Sequence, residues 1–117
     1  MHKQRQIQFI KDLSFLSSEF RAIYENEATD GFEDIPIYVM ERYIDYIFTE
    51  FEKSNFAPMD VFLDFCNKNI DDSVCELLGI TLGESLSYVF TDKIYIEHIE
   101  KITSSEIKKC LGLLRGE

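Results

Sequence analysis

The chain has 117 residues, 45% of them apolar and 14% aromatic, which is enough to bury a core and too hydrophobic for a disordered polymer. Its formal charge of −10, from 22 acids against 12 bases, sets it against nucleic acid, because phosphate backbones are bound by Lys and Arg. Two prolines and five glycines leave little room for the tight turns of a small β sandwich. The expectation is therefore an all-α, single compact domain over residues 1–117, built from about five to seven short helices around a central helix near 36–53.

The first helical pattern starts at Lys3, with Ile7, Phe9, Ile10, Leu13, Leu16, Phe20, Ile23 and Tyr24 at spacings of three and four. Ser14, Ser17 and Ser18 interrupt it, and serine prefers caps to helix interiors. The pattern thus predicts two helices, at roughly 3–15 and 18–26. Residues 25–34, ENEATDGFED, read as an acidic loop holding Glu25, Glu27, Asp30, Glu33 and Asp34. With Gly31 placed at the sixth position of a calcium loop, the third position is Ala28 and the twelfth is Ile37. Neither supplies the oxygen that an EF-hand needs there.

Pro36 then opens the central helix at a position where a missing N–H costs nothing. Ile37, Met40, Ile44, Ile47, Phe48 and Phe51 form its apolar stripe. Glu41, Asp45, Thr49 and Glu52 form a separate polar stripe, with Tyr38, Tyr43 and Tyr46 along the margins. A fourth helix is expected from Pro58 to residue 69, with Phe62, Phe65, Cys66 and Ile70 inward and Asp60 complementing the dipole of its first turn.

Ser73 and Glu76 have capping-box spacing, as do Thr81 and Glu84, and Thr103 and Glu106. Gly79 and Gly83, four apart, fit either a break between helices or a close approach by another helix. Leu82, Leu86, Val89 and Phe90 continue the apolar pattern. Ile94 to Ile102 reads as helix in preference to a lone strand with nothing to pair with. Ile107, Cys110, Leu111 and Leu114 mark a last helix that Gly116 ends.

Three cysteines, Cys66, Cys75 and Cys110, all lie in apolar runs, so buried reduced thiols are expected. The N-terminal stretch has no continuous apolar region of the signal-peptide kind, and no run approaches the length of a membrane span. These features predict a cytoplasmic chain without membrane attachment. His98 has no nucleophile partner by spacing, and the cysteines lack paired metal-ligand spacing. No catalytic, cofactor-binding or metal-binding residue is assigned, and the expectation is a binder and not an enzyme.

The charge is unevenly placed. Residues 25–100 carry 18 acids and four bases, whereas 1–24 and 101–117 each carry four bases and two acids. Such a body attracts a basic protein. Tyrosine beside acid suits a docking surface, because Tyr supplies contact area at low entropic cost and acids supply complementarity. The candidate partner-binding residues are Glu33, Asp34, Tyr38, Glu41, Asp45, Tyr46 and Glu52.

The segment NKNIDDSVCELLGITLGESL, residues 67–86, resembles a signature in a family of small helical bacterial proteins. Its elements are the acidic turn Asp71-Asp72, the apolar pair Leu77-Leu78, and the stretch Leu82-Gly83-Glu84-Ser85-Leu86. The preceding central helix and the following C-terminal helix match in order and length. Gly83 widens the Leu82–Glu84 spacing, and LSSEF at residues 16–20 stands where relatives tend to have a proline turn. Small acidic helical proteins of this kind are similar to immunity proteins of contact-dependent growth inhibition and other polymorphic toxin systems. The resemblance implies a monomer or weak dimer that neutralises a cognate toxin, often a basic nuclease, by covering its active site or substrate groove. The competing expectation is a helical adaptor or regulatory protein that self-associates through exposed apolar surface.

Overall fold

The computed structural model describes residues 2–85, 97–98, 101 and 105–111. Serine placement ends the first helix and starts the second. α1 spans His2–Leu13, and the Ser17 hydroxyl accepts from the Phe20 N–H at 3.2 Å to cap α2, Ser18–Thr29. α2 runs three residues further than the apolar pattern implies, taking the first half of the expected acidic loop into the helix. It stops at Gly31, whose φ of +84° is left-handed. The Gly31 N–H bonds the Ala28 carbonyl and the Phe32 N–H bonds the Glu27 carbonyl, the paired bonds of a Schellman motif. The glycine that invites a calcium-loop reading is therefore a helix stop.

α3, Pro36–Glu52, has Pro36 in its first turn and ends in a second Schellman arrangement. There Ser54 bonds the Phe51 carbonyl, Asn55 bonds the Glu50 carbonyl, and Ser54 itself adopts a φ of +66°. α4 spans Ala57–Lys68, with Pro58 near its start and Asp60 in its first turn. α5, Asp72–Leu78, is capped by Asp71, whose carboxylate accepts from the Val74 N–H at 2.8 Å. The expected Ser73–Glu76 capping box does not form. Ser73 lies inside the helix, where its hydroxyl meets His2 Nδ1 at 2.6 Å and its carbonyl accepts from Gln6 Nε2 at 2.9 Å. Asp71 sits two residues earlier and is also held by Arg5 Nε at 2.6 Å.

No break follows Leu78. The chain continues through a π-helical segment, Gly79–Gly83, in which the Thr81 hydroxyl back-bonds to the Leu77 carbonyl at 2.6 Å. The Thr81–Glu84 capping box is thus also unrealised. α6 spans Ser105–Cys110. The expectations for Leu86 to Phe90, Ile94 to Ile96, Ile99, Ile102, Thr103, Leu114 and Gly116 lie outside the described residues. Among the described residues the protein is all-helical, with six α-helices and the π segment.

α3 is the hub and packs against α1, α2, α4 and the π segment, while α5 lies on α1 and α6 on α4 and α5. Phe9, Ile10, Leu13, Phe20, Met40, Tyr43, Ile44, Ile47, Met59, Phe62, Leu63, Val74, Leu77 and Ile107 meet in one core cluster. Two assignments on α3 change. Ile37, expected inside, is 41% exposed, and Tyr43, expected at the margin, is fully buried. The core-facing stripe is centred on Met40, Ile47 and Tyr43, so Ile37 overhangs its edge. Tyr43 accepts burial because its hydroxyl donates to the Ile10 carbonyl at 2.8 Å.

Cys75 and Cys110 form a disulfide, their Cα atoms 5.1 Å apart, joining α5 to α6. This corrects the expectation of three reduced thiols, which holds only for the buried Cys66. Gly79 and Gly83 explain how α6 comes so close. A Cβ on Gly79 would stand 3.0 Å from the Cys110 carbonyl, and one on Gly83 would stand 3.5 Å from Leu111 Cα.

Candidate partner-docking face

Burying Met40, Tyr43, Ile44, Ile47 and Phe51 turns Tyr38, Glu41, Arg42, Asp45, Thr49 and Glu52 outward along α3. The seventeen-residue helix makes this ridge about 25 Å long at 1.5 Å per residue. Three depressions lie beside it, where α2 packs against α3. The first, of about 190 Å³, is walled by Glu27, Phe32, Tyr38, Glu41 and Arg42. The next, of about 370 Å³, shares Glu27 and Arg42 with it and adds Ala22, Ile23, Asn26 and Tyr46. The largest, of about 430 Å³, shares Tyr46 and opens between the starts of α2 and α4 and the end of α3. Shared walls make them one furrow.

The furrow is acidic. Its described lining includes Glu19, Glu27, Glu41 and Glu50 against Arg42, and Arg42 already reaches Asp45 at 3.4 Å. That pair is exposed and contributes little stability, so both side chains can re-pair with a visitor. Tyr46 packs edge-on against Phe20, ring centres 5.6 Å apart. Burial pushes its phenol up, and the carboxylates of Glu19 and Glu50 push it further. Burial likewise raises Tyr24, followed by the negative charge of Glu33, against a lowering by Arg21 and with Asp34 adding a smaller rise. At both phenols the neighbouring carboxylates add to a rise that burial leads.

Of the sequence-derived candidates, Tyr38, Glu41 and Tyr46 line the furrow, and Asp45 stands on its ridge paired with Arg42. Glu33 and Asp34 lie beyond its end, in the turn before α3. One Glu33 oxygen is enclosed without a hydrogen-bond partner among the described residues. Asp34 borders a different cleft, shared with His2, Lys3, Gln6 and Glu76. Glu52 is exposed at the far end of α3 and lines none of the three depressions. Sequence reasoning missed the α2 wall, Glu19 and Glu27, and the rim pair Glu50 and Asn55. The packing of α2 on α3 brings Glu19 and Glu27 to the tyrosine-edged face, and the turn that ends α3 brings Asn55 to Glu50.

His98 is a strut. Its Nε2 lies 2.7 Å from Asp60, and its ring packs against Phe51 and Phe56 with centres 5.2 and 4.8 Å away. Among the described residues, no three His, Cys, Asp or Glu side chains are grouped to hold a metal ion. No described helix is long and apolar enough to cross a membrane. No family profile matches the chain, and neither a curated protein nor a solved structure is similar to it at a significant level.

Proposed function

We propose that the chain is an immunity-type protein that binds a basic partner protein, a cognate toxin, along the α2–α3 furrow and covers the groove where that toxin holds its substrate. The observation that carries this reading is the composition of the furrow, with four glutamates in its walls and a single arginine already engaged. An acidic ridge beside aromatic and apolar depressions offers steering charge and contact area together. A groove that binds nucleic acid is lined with Lys and Arg, and this face presents the charges such a groove accepts.

Co-expression with candidate basic nuclease toxin domains tests the reading. Growth is rescued by the native protein, and Glu41→Lys with Asp45→Lys abolishes rescue while far-UV circular dichroism stays unchanged. Binding weakens steeply with salt. Rescue that survives the double substitution removes this face, and absence of rescue by the native chain removes the function. An adaptor that self-associates through Phe15, Ile37 and Ile80, all more than 40% exposed, would elute well above 13.7 kDa on a sizing column. Elution as a monomer excludes it.

A further inference from the structure

The largest depression combines apolar lining with two carboxylates that come from different helices. Leu16, Phe20, Pro58 and Val61 form the apolar lining, with Val61 42% exposed. Glu19 stands in the first turn of α2 and Glu50 near the end of α3, and both line the depression together with Tyr46.

Glu50 is set in place. The Schellman turn at Ser54 returns the Asn55 N–H to the Glu50 carbonyl, and the Asn55 side-chain amide then donates to Glu50 Oε1 at 2.9 Å. Lys53 Nζ reaches the other oxygen at 3.3 Å from a side chain that is 67% exposed. An exposed pair of this kind is weak and is displaced at little cost by a better donor. The acceptor is thus oriented before any ligand arrives, which lowers the ordering cost of binding.

We propose that this cleft takes an arginine side chain, together with an aliphatic neighbour, from the surface of a basic partner protein. The proposal rests on the docking reading and specifies what is read at one end of the furrow. Charge complementarity selects a cation, and the apolar lining selects one whose stem can be buried along it. A planar guanidinium stacks on an aromatic face and distributes its five donors between two separated carboxylates, which a point-charge ammonium does not do. The volume of about 430 Å³ falls within the range of pockets that hold small organic molecules, so it also accommodates the residue beside the arginine.

The probe is the blocked dipeptide acetyl-Leu-Arg-amide, titrated into the uniformly labelled protein and followed by amide chemical shifts. Saturable shifts are expected at Phe20, Tyr46, Asn55 and Val61. Replacing arginine by the neutral isostere citrulline, or Glu50→Gln in the protein, should weaken binding about tenfold, the scale of one charge-assisted hydrogen bond. Lys53→Ala removes the competing ammonium and tightens binding. Lysine in place of arginine binds more weakly. Equal affinity for the citrulline peptide shows an apolar cleft only and overturns the proposal, as do shifts confined to other residues or no saturable shift. If the probe fails while Glu41→Lys/Asp45→Lys still abolishes rescue, the arginine site falls and the docking face stands. If both fail, the docking reading falls as well.

Discussion

The Tyr43 hydroxyl donates a 2.8 Å hydrogen bond to the Ile10 carbonyl, tying the middle of α3 to the last turn of α1 inside the core. The contact lies within the core cluster, where Phe20 meets the Tyr43 ring edge-on at 5.4 Å. Tyr43→Phe keeps the ring and removes the donor, so about 1 kcal/mol of stability should be lost. Urea unfolding reads this as a lower midpoint with an unchanged slope. An unchanged midpoint would mean that the hydroxyl contributes nothing net.

The same burial sets an alkaline limit. Desolvation pushes the Tyr43 phenol far above its ordinary 10.0, with Tyr24 adding to the rise and Arg21 opposing it. Burial alone pushes the Cys66 thiol far above its ordinary 9.0. Both groups stay neutral in the folded state and ionise once the chain unfolds. Stability from this source is therefore complete below about pH 9 and declines as pH rises, by about 1.4 kcal/mol per pH unit for each such group. Denaturant midpoints at about pH 8 and pH 10.5 measure the loss. Tyr43→Phe should flatten the dependence, and an identical slope in that variant would assign the loss to other groups.

Joining Cys75 to Cys110 closes a 35-residue separation. By the chain-entropy account, removing that link costs about 3–4 kcal/mol. Thermal unfolding of the Cys75→Ser/Cys110→Ser double variant checks the magnitude. Alkylation in denaturant without reductant checks the pairing, since it should modify Cys66 and spare the other two. Three modified thiols would refute the bond.

Gly79 and Gly83 should respond oppositely to alanine. Both lie in the π segment, where alanine is intrinsically better than glycine by about 1 kcal/mol. At Gly83 the added methyl meets Leu111 at ordinary contact distance, so Gly83→Ala should hold or raise the melting temperature. At Gly79 it meets the Cys110 backbone carbonyl at 3.0 Å, and the disulfide restrains that carbonyl from moving away. Gly79→Ala should therefore melt lower than the native protein. The reverse order would show that α6 shifts freely.

Ser54 holds a left-handed conformation without being glycine, at φ +66°. Ser54→Gly relieves a backbone penalty of about 1 kcal/mol and should raise the denaturation midpoint. A lower midpoint would mean that the serine side chain offsets its own strain.

The residues that make each helix stop and start show where sequence reading succeeds. Ser17, Pro36 and Pro58 place the starts of α2, α3 and α4, because capping and proline chemistry act within one turn and need no distant partner. The cap of α5 is ambiguous in the sequence because Asp71 and Ser73 both have capping chemistry. Arg5 and Val74 hold Asp71, while His2 and Gln6, more than 65 residues earlier, engage Ser73. The outward ridge of α3 is half visible in the sequence. Spacing placed Tyr38, Glu41 and Asp45 on one side of α3, but the opposing wall of Glu19 and Glu27 belongs to another helix.

The sequence by itself determined an all-helical chain, the outward ridge of its central helix and the acidity of its body, since periodicity and charge are local properties. Tertiary packing alone decided that Tyr43 is buried while Ile37 overhangs the core edge, that Cys75 finds Cys110, and that α2 lies along α3 to make a furrow. Each of these depends on which surfaces meet across long sequence separations. An apolar stripe states that it will be covered and leaves open by what, and how far toward its edges.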